Sequence, residues 1–591
     1  MRRIFGILVA ILVTGTSQAQ TARPLGATPI APTREEIERS RPVAPNAPGP
    51  RLVVEDKTER APCALGEPRF AAVEVTLTAV TFAGLKIVQA DELRPAYDGQ
   101  LGKPLPIAVV CEIRDRAATI LRAKGYLAAV QIPPQKIEGG KLELHVLLAR
   151  LASIHVRGNA GRAERLIAGY LTPLTREPLF NERHAERALL LVRDLPGYDV
   201  RLQLQPSDIP GEVIGEVTVV HHTIDADFNV QNYSSRELGR FGGLVRVQFY
   251  GLTGLGDRTA VSFFTSPEIR QQKVVQASHE FLLGSSGIGV AGHFTYSWTK
   301  PTLNQLDIDA RALVGSGEID FPFVRRQAAN IRGAAGFEVI DQTVDLNGVR
   351  LTTDRLRVPF VRIEGDAIDH ASRAGIGGYS AFEPRWSLAG TFELRHGVHI
   401  LGASQGCGVN LILCRLSPNP VTPSRPYGDP AALVVRFGGE AQFRPRPRLA
   451  FVFTPRAQYT PDTLLSFEEY SGGNYTIGRG YDPGALLGDK GLGGALEVRA
   501  GRAAPAGPRA IAVQPFAFVD SAWLWSNSPG DPRAAANLTS LGFGLRTALG
   551  GWGRLDGSFA FPTGRVGIET HVPPVRFLVS FTTRLPPWSR R

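Results

Sequence analysis

One segment of the sequence contains an arginine between two glycines, whose flexible backbone would let the arginine side chain pack closely against a neighbouring surface. The motif Gly478-Arg479-Gly480-Tyr481 lies inside a turn-rich stretch, residues 471–494. Arginine carries a permanent charge and a rigid fork of donors, so its burial requires a fixed carboxylate partner. The tripeptide Arg-Gly-Tyr alone is a weak signal, because it occurs by chance in chains of this length. Its meaning depends on a partner elsewhere in the sequence.

The segment FAFVD, residues 516–520, supplies a candidate partner for this arginine. Its alternation is typical of a strand that places Phe516, Phe518 and Asp520 on one face, because side chains in a strand repeat every two residues. We expect Asp520 to pair with Arg479 and the two phenylalanines to cushion it. The alternatives are ordinary wall packing of the rings and a pair that only stabilises the fold, since breaking a buried pair on one side costs about 3–5 kcal/mol.

Enzyme motifs are weak in this chain. Residues 402–406 (GASQG) match the nucleophile-elbow pattern G-x-S-x-G, but that pattern requires a strand-to-helix turn, whereas this segment is expected in a loop beside Cys407. Residues 484–491 lack the spacing and the Ser/Thr of a phosphate-binding loop. Acidic and histidine residues are scattered without metal-ligand spacing. The sequence therefore predicts no active site, no metal and no cofactor.

The chain begins like a secretory signal peptide. Arg2 and Arg3 precede a short apolar run, residues 4–13, and small residues stand before a cleavage position that makes Gln20 the first mature residue. We expect residues 1–19 to be removed. No later stretch reaches the roughly 18 uninterrupted apolar residues of a transmembrane helix. The sequence predicts an exported protein.

Charge and cysteine content narrow the function classes further. The chain has 66 Lys plus Arg against 55 Asp plus Glu. The excess positive charge is spread along the chain, and no run of basic residues typical of nucleic-acid binding occurs in the sequence. An even number of cysteines in an exported chain favours disulfides, and we expect the pairs Cys63–Cys111 and Cys407–Cys414. Zinc is the alternative for these cysteines, but no Cys-x-x-Cys or nearby histidine pair supports it.

The first part of the chain divides into a linker and two modules. Residues 20–68 are rich in proline and read as a linker, within which residues 33–39 could form a short helix capped at Thr33. Residues 69–148 and 149–222 alternate strand and helix signals. Helical spacing marks residues 113–124, 163–170 and 182–193. Each segment fits a small α+β domain of about 75 residues.

From residue 223 to residue 585 the pattern changes to long alternating segments separated by turn residues. Residues 244–250 and 575–581 each place their apolar side chains on one face, and in residues 306–314 Leu306, Ile308, Ala310 and Ala312 alternate with polar residues. A soluble β-sandwich shows the same alternation. The charges on the second face favour an apolar outside and a polar inside, which is typical of a transmembrane antiparallel β-barrel. At about 20–25 residues per strand, this span predicts about 16 strands.

This organisation resembles the outer-membrane transporters of two-partner secretion, the haemolysin secretion/activation type called TpsB. The resemblance covers nearly the whole mature chain, and both modules look like the POTRA domains of that family. The segments that carry the resemblance outside the Arg-Gly-Tyr motif lie in the two modules and the first barrel hairpin. They are Lys124–Tyr126, Pro133–Gln135, Gly139–Leu142, Val156–Asn159, Leu195–Tyr198, Asn232–Ser235 and Gly254–Asp257.

The resemblance implies a set of roles for the residues named above. A re-entrant loop, residues 460–491, would fold into the pore and pair Arg479 with Asp520, with Gly478 at the position where the family has valine. Residues 33–39 sit where the family has a pore-plugging helix. Phe581 would be the terminal aromatic residue that the barrel-assembly machinery recognises, followed by the tail 586–591.

The family also implies location and partners. The barrel would lie in the outer membrane lipid with its modules in the periplasm. Exposed strand edges within residues 69–222 would bind a large, unfolded, β-rich exoprotein, which would cross without ATP and fold outside. Two other functions remain open at this point. One is catalysis of membrane insertion of other barrels, and the other is a passive porin.

Overall fold

The computed structural model describes residues 33–38, 53–54, 63–85, 88–158, 160–209, 211–302, 306–373, 375–407, 414, 421–529, 535–566 and 571–585. The predicted signal peptide, most of the linker, Asn159 and the tail 586–591 lie outside these residues. Three linker segments are described: a short helix α1 (Arg34–Glu38), a short strand β1 (Val53–Val54) and residues 63–68, which contain the single 3-10 turn Ala64–Gly66.

The first module packs one helix on a small sheet. Its elements are β2 (Glu74–Thr76), β3 (Ala79–Ala83), β4 (Pro104–Pro106), α2 (Val109–Ala123), β5 (Ala128–Gln131) and β6 (Lys141–Leu148). Strands β3, β6 and β5 form one sheet, and β2 pairs with β4. Helix α2 buries Val110, Ile113, Ala117 and Leu121 completely, because residues three and four apart share a helix face. The predicted helix began four residues too late, since Val109 and Val110 already belong to that face.

The second module continues directly from the first. Its elements are β7 (Arg150–Gly158), α3 (Glu164–Arg176), α4 (Glu182–Arg193), β8 (Tyr198–Pro206) and β9 (Glu212–His221). The sheet order is β1-β8-β9-β7, so linker strand β1 pairs in parallel with the outer edge of β8. Helix α3 runs past the predicted end at Tyr170, through Pro173, because Leu171 and Leu174 are buried in the module core.

The remaining chain forms a closed antiparallel barrel of sixteen strands, as predicted. The first eleven are β10 (Ile224–Gln231), β11 (Gly242–Tyr250), β12 (Arg258–Thr265), β13 (Gln272–Leu283), β14 (Ile288–Thr299), β15 (Ile308–Arg325), β16 (Ala329–Leu346), β17 (Val349–Ile368), β18 (Trp386–His396), β19 (Leu433–Arg446) and β20 (Leu449–Tyr459). Two short strands follow, β21 (Tyr470–Gly472) and β22 (Leu486–Gly488). The last five wall strands are β23 (Lys490–Ala500), β24 (Ile511–Trp525), β25 (Ala535–Leu549), β26 (Gly553–Pro562) and β27 (Arg576–Arg584), and β27 pairs with β10 to close the barrel.

The wall separates an apolar outside from a mixed inside. In β24, Val519 and Trp523 are 43% and 45% exposed on the outer face, while Asp520 and Leu524 are buried on the inner face. Strand β15 departs from the predicted polarity, because Ile308, the small residues after it and Val314 face inward. Among the described residues, no helix is long and apolar enough to cross a membrane.

The second module docks against one end of the barrel, which we call the module end. Asp194 accepts two hydrogen bonds of 2.6 Å from the guanidinium of Arg325 at the end of β15. Arg162 donates to the carbonyl of Leu252 at 2.6 Å, in the turn between β11 and β12. These contacts fix the module beneath the turns that follow β11 and β15. The opposite end of the barrel is called the far end below.

The connection between β20 and β23 folds back from the far end into the barrel. It spans residues 460–489, since Lys490 and Gly491, which the sequence analysis included in the loop, already belong to β23. Its buried side chains Tyr470, Ile477 and Tyr481 pack with wall residues of β24 and β25. The connection therefore forms part of the barrel's interior, and it is called the re-entrant loop below.

Candidate functional site

The tip of the re-entrant loop contacts the wall through Arg479 and Asp520. The Arg479 Nε donates to Asp520 Oδ2 at 3.0 Å, and the Arg479 backbone N–H donates to the same oxygen at 3.3 Å. The Asp520 side chain is 1% exposed and that of Arg479 is 20% exposed. Ser540 donates its hydroxyl to the other Asp520 oxygen. The structure therefore brings together the two residues that the sequence pairs.

Phe516 and Phe518 of the wall each contact a different arginine. The Arg479 guanidinium lies 3.7 Å from the ring centre of Phe518, a cation–π contact. Phe516 does not cushion Arg479; its ring lies 4.1 Å from the guanidinium of Arg546. The expected shared inner face of Phe516, Phe518 and Asp520 is present, but only Phe518 and Asp520 contact the loop tip.

A second carboxylate, Glu497 on β23, completes the tip site. It accepts from Arg479 at 2.6 Å, from Arg499 at 2.6 Å and from Arg546 at 3.0 Å. Its side chain is 8% exposed. Three guanidiniums therefore share one buried carboxylate, with Asp520 as the second acid of the cluster. Sequence reasoning missed Glu497, because a single glutamate in a strand has no local signature.

The other residues of the motif fix the tip by shape and by backbone contacts. Gly480 donates its N–H to the Ser540 hydroxyl at 3.0 Å, and a Cβ at Gly480 would lie 2.8 Å from Ser540 Cβ. The Tyr481 hydroxyl lies 3.0 Å from the carbonyl oxygens of both Thr539 and Gly564 and shares its single hydrogen between these two acceptors. Glycine and tyrosine at these positions let the loop approach the wall closely.

Gly478 explains why valine is absent at this motif position. Its backbone angle φ is +117°, a value that residues other than glycine rarely adopt. A Cβ there would lie 2.3 Å from Leu538 Cδ1. In this chain the tip backbone therefore requires glycine immediately before Arg479.

Helix α1 lies inside the barrel, against both the wall and the re-entrant loop. Arg34 donates to Glu338 of β16 at 2.9 Å and to Glu468 of the loop at 2.6 Å. Arg395 of β18 donates to the same two carboxylates, to Glu468 at 3.1 Å. Arg436 of β19 adds a contact to Glu468 at 2.7 Å. We call these five residues the plug cluster, and Arg34 is its only member outside the wall and loop.

Apolar and backbone contacts support the same helix. Ile37 is 1% exposed and packs among inner-wall and loop side chains, including Val314 and Phe467. Gln276 of β13 donates to the carbonyl of Ile37 at 2.9 Å. The carboxylate of Glu36 accepts from the Thr33 N–H at 3.0 Å, which caps the helix at its predicted first residue. A cavity of about 740 Å³ remains between α1, the loop tip and strands β10 and β11.

Another buried ion pair holds the base of the re-entrant loop, at the far end of the barrel. Arg425, in the long connection after β18, contacts both oxygens of Asp489 and lies 3.0 Å from Glu469. Asp489 also accepts from the backbone N–H of Asn527 at 2.6 Å, in the connection after β24. Two far-end connections therefore clamp the base of the loop.

The remaining residues that the sequence singled out lie away from this interior. Disulfides join Cys63 to Cys111 on α2, and Cys407 to Cys414 in the connection after β18. Residues 402–406 lie in that same connection, where Ser404 accepts a hydrogen bond from the Arg355 N–H. No group of three or more His, Cys, Asp or Glu that could hold a metal occurs in the part of the chain that the structure describes.

Barrel, modules and interior site together define a class of protein. A sixteen-stranded barrel with an apolar outer face, preceded by α+β modules and filled by its own loop and helix, is a POTRA-bearing outer-membrane β-barrel. Two family models match the chain within this architecture. "POTRA domain, ShlB-type" matches residues 75–148, and "Haemolysin secretion/activation protein ShlB/FhaC/HecB" matches residues 373–547.

Both matches are consistent with a TpsB-type transporter of two-partner secretion, the family that the sequence resembles. The barrel of this chain lies in the outer membrane and its modules lie in the periplasm. The module end is therefore the periplasmic end, and the far end faces the outside of the cell. The recognition by sequence and the predicted location are confirmed.

Individual relatives are distant in sequence. The heme/hemopexin transporter protein HuxB of Haemophilus influenzae is 20% identical over 273 residues, which cover 45% of this chain and 47% of that protein. The matched stretch thus spans about half the length of the curated relatives. CdiB from Escherichia coli is 16% identical with a TM-score of 0.66, over 90% of this chain and 94% of that one.

Two further solved structures share the fold. CdiB from Acinetobacter baumannii is 15% identical with a TM-score of 0.57, over 96% of this chain and 94% of that one. BamA from Haemophilus ducreyi lacking POTRA domains 1–3 is 12% identical with a TM-score of 0.52, over 87% and 100%. At these identities the likeness shows the fold alone.

Proposed function

We propose that this protein is an outer-membrane pore that takes one unfolded exported protein from the periplasm to the cell surface. The partner would be a large β-rich exoprotein, bound first by the periplasmic modules. The proposal assigns the protein no catalytic reaction. The barrel-assembly machinery and the outer-membrane lipid are its other expected partners, for its own insertion and residence.

One observation carries this proposal: the barrel interior is closed by two segments of the same chain whose buried contacts with the wall include charged pairs beside small apolar clusters. Helix α1 is bound through Arg34, and the loop tip through Arg479. A porin needs no such removable closure. Ion pairs and hydrogen bonds can exchange for water or for a passing chain, whereas a packed apolar core cannot do so without a large loss of burial energy.

Partner recognition would use strand edges in the modules. The outer edge of β8 already pairs in parallel with linker strand β1, through Val53 opposite Gln203 and Val54 opposite Leu204. Such pairing uses backbone groups and requires little side-chain code. An extended segment of an unfolded β-rich partner has the same backbone groups to offer. We therefore infer that this edge is where a partner strand would be added, in competition with β1.

Movement through the barrel would need no nucleotide. The interior wall offers polar side chains that satisfy the backbone of an extended chain, which lipid cannot do. ATP is absent outside the inner membrane, and the sequence contains no phosphate-binding loop. Folding of the β-rich partner outside the cell would supply direction, because a folded domain cannot return through the barrel.

The proposal is tested by comparing culture medium and outer membranes of cells that carry the native protein, no protein or the Arg479→Ala variant. We expect one large protein to disappear from the medium of the last two strains while other outer-membrane barrels stay at native levels. Arg311→Gln is the matched control, since Arg311 is exposed and its ion pair with Asp309 lies outside the site. Depletion of many outer-membrane barrels would instead support an assembly catalyst and contradict the transporter function.

A further inference from the structure

Three connections at the periplasmic end of the barrel form one continuous surface. They follow β17, β19 and β23, and the first contains a short helix α5 (His370–Arg373). The Tyr379 hydroxyl donates to the carbonyl of Arg444 at 3.1 Å, and the Ala503 N–H donates to Glu383 at 2.7 Å. Gly501 donates its N–H to the carbonyl of Arg448 at 2.8 Å. We call residues 369–373, 375–385, 444–449 and 501–510 the periplasmic shelf.

The shelf has five exposed arginines and only two carboxylates, both half-exposed, of which Asp369 lies near Arg385. Its five exposed arginines are Arg385, Arg446, Arg448, Arg502 and Arg509. Within the described residues none of the five forms an ion pair. The two shelf carboxylates accept from the shelf's own backbone, Glu383 as above and Asp369 from the Ser372 N–H at 3.0 Å. The exposed charge of the shelf is therefore strongly positive.

Apolar side chains accompany these arginines. Ile376 and Phe382 of the shelf are 63% and 52% exposed. Immediately above the shelf, Trp386, Phe443 and Ile511 begin the lipid-facing band at 37%, 49% and 63% exposure. Tryptophan and other aromatic residues at strand ends mark the boundary between lipid and water in outer-membrane barrels. The shelf thus continues the lipid-facing surface at the level of the headgroups.

The second module reaches the shelf only at its border, where Glu186 of α4 lies near Arg373, and the five arginines named above stay exposed. The second module docks beneath the turns that follow β11 and β15, through contacts such as Arg162 with Leu252 and Asp194 with Arg325. The shelf lies under the next part of the rim, beneath β17 to β24. Its arginines are accessible in the same state in which both modules are present.

We propose that the periplasmic shelf binds the headgroups of anionic phospholipids in the inner leaflet of the outer membrane. Arginine donates bidentate hydrogen bonds to phosphate oxygens, and clusters of four or more basic residues beside a membrane attract anionic lipid. Ile376 and Phe382 would lie among the first carbons of the acyl chains. An acidic segment of a transported protein is the competing occupant, but it would not account for apolar side chains continuous with the lipid-facing band.

The test uses the full-length protein in detergent with an equimolar mixture of phosphatidylglycerol and phosphatidylethanolamine of identical acyl chains. Native mass spectrometry measures how many molecules of each lipid stay bound to the protein. We expect the native protein to retain phosphatidylglycerol about fivefold or more over phosphatidylethanolamine, as even one arginine at a headgroup would give. The shelf variant replaces Arg446, Arg448, Arg502 and Arg509 with Gln, and it should lose this preference.

A matched control makes the same charge change at the extracellular end. It replaces four exposed arginines with Gln, namely Arg236, Arg270, Arg355 and Arg565. The control should keep the native preference; a loss equal to that of the shelf variant would overturn the proposal. Heat-dependent migration on gels checks that each barrel is folded, and the Arg502→Gln/Arg509→Gln variant serves if the fourfold change prevents folding.

A second measurement locates the apolar residues independently of lipid type. A nitroxide label is attached at Ile376→Cys in vesicles that contain phosphatidylglycerol. We expect the label to collide more often with oxygen, which concentrates in lipid, than with a water-soluble nickel complex. A label that reads as aqueous would overturn the proposal. So would a shelf variant that keeps its lipid preference but loses binding of a poly-glutamate peptide, since that result would assign the shelf to a polypeptide.

Discussion

Glu468 of the re-entrant loop accepts a 2.6 Å ion pair from Arg34 of helix α1, and its other oxygen accepts from Arg436 of the wall at 2.7 Å. One buried carboxylate thus joins the two segments that close the barrel. Neither segment can leave its place without altering the contacts of the other. We infer that release of the helix and movement of the loop are thermodynamically linked.

The first prediction concerns Arg34→Gln. Removing one partner of a buried ion pair costs about 3–5 kcal/mol, so the fraction of time that α1 spends outside the barrel should rise about a hundredfold or more. Glu338 and Glu468 keep Arg395 as a partner, so the wall should stay folded. Single-channel recording in planar bilayers should show frequent openings. Conductance equal to that of the native protein would contradict a role for Arg34 in holding the helix.

A second prediction separates the two carboxylates at the loop tip. Glu497→Gln should lower the stability of the barrel by about 3–5 kcal/mol, because Arg479, Arg499 and Arg546 then share no charged acceptor at that position. Removing Arg479 as well should cost less in that background than in the native protein, since the two changes affect one interaction. The temperature at which the folded form is lost on gels measures each variant. Additive losses would show that the pair is not coupled.

The control for this cycle is Arg311→Gln. Its partner Asp309 is paired at 3.1 Å, but the Arg311 side chain is 45% exposed. Exposed pairs contribute at most about 1 kcal/mol. A control loss as large as that of Glu497→Gln would show that the measurement reports a general effect of lost charge rather than the buried cluster.

The contact between Arg479 and Asp520 could be predicted because each residue lies in a local pattern. Glycines flank the arginine, and a period of two fixes the face of Asp520. Glu497, Glu338 and Glu468 have no such pattern. Their contacts arise when distant strands become neighbours in the closed wall, a property of topology that single positions do not reveal.

The polarity of β15 shows a second limit of the sequence. The alternation over residues 306–314 is real, but Ala310, Ala312 and Val314 face the interior, whereas Arg311 faces outward. Ala312 and Val314 turn inward because they pack in one cluster with Ile37 of α1, and Ala310 packs with Val344 of the neighbouring strand. Alternation predicts that a strand has two faces; what fills the barrel decides which of them is apolar.

The third prediction concerns Gly478→Val, which restores the residue usual in the family. We expect this change to destabilise the loop tip, because φ at Gly478 is +117° and a Cβ would lie 2.3 Å from Leu538 Cδ1. Adding Leu538→Ala relieves the overlap but leaves the backbone strain. The double variant should therefore recover stability only in part, as measured by thermal loss of the folded form. Full recovery would show that crowding alone requires glycine.

The last prediction concerns pH and the docking of the second module. His221 stacks on Tyr198 with ring centres 4.2 Å apart, and the pair packs on Gly251 of the turn after β11. Burial lowers the pKa of His221 below its ordinary value, and the neighbouring His222 lowers it further. The Tyr250 carbonyl and Asp257 raise the pKa of His221 but do not cancel the effect of burial. The docked state therefore binds a proton less readily than the undocked state.

The sign of the effect follows from this difference in proton binding. Docking should weaken as pH falls below the ordinary histidine value of about 6.5, because the undocked module then gains protons that the docked module excludes. Nitroxide labels at Asp208→Cys in the module and Gly551→Cys in a periplasmic turn report their separation by pulsed electron resonance. The distance distribution should broaden between pH 7.5 and pH 5.5 in the native protein. His221→Gln should remove this dependence and His145→Gln, exposed in the first module, should retain it; equal broadening in the His221→Gln protein would assign the effect to another group.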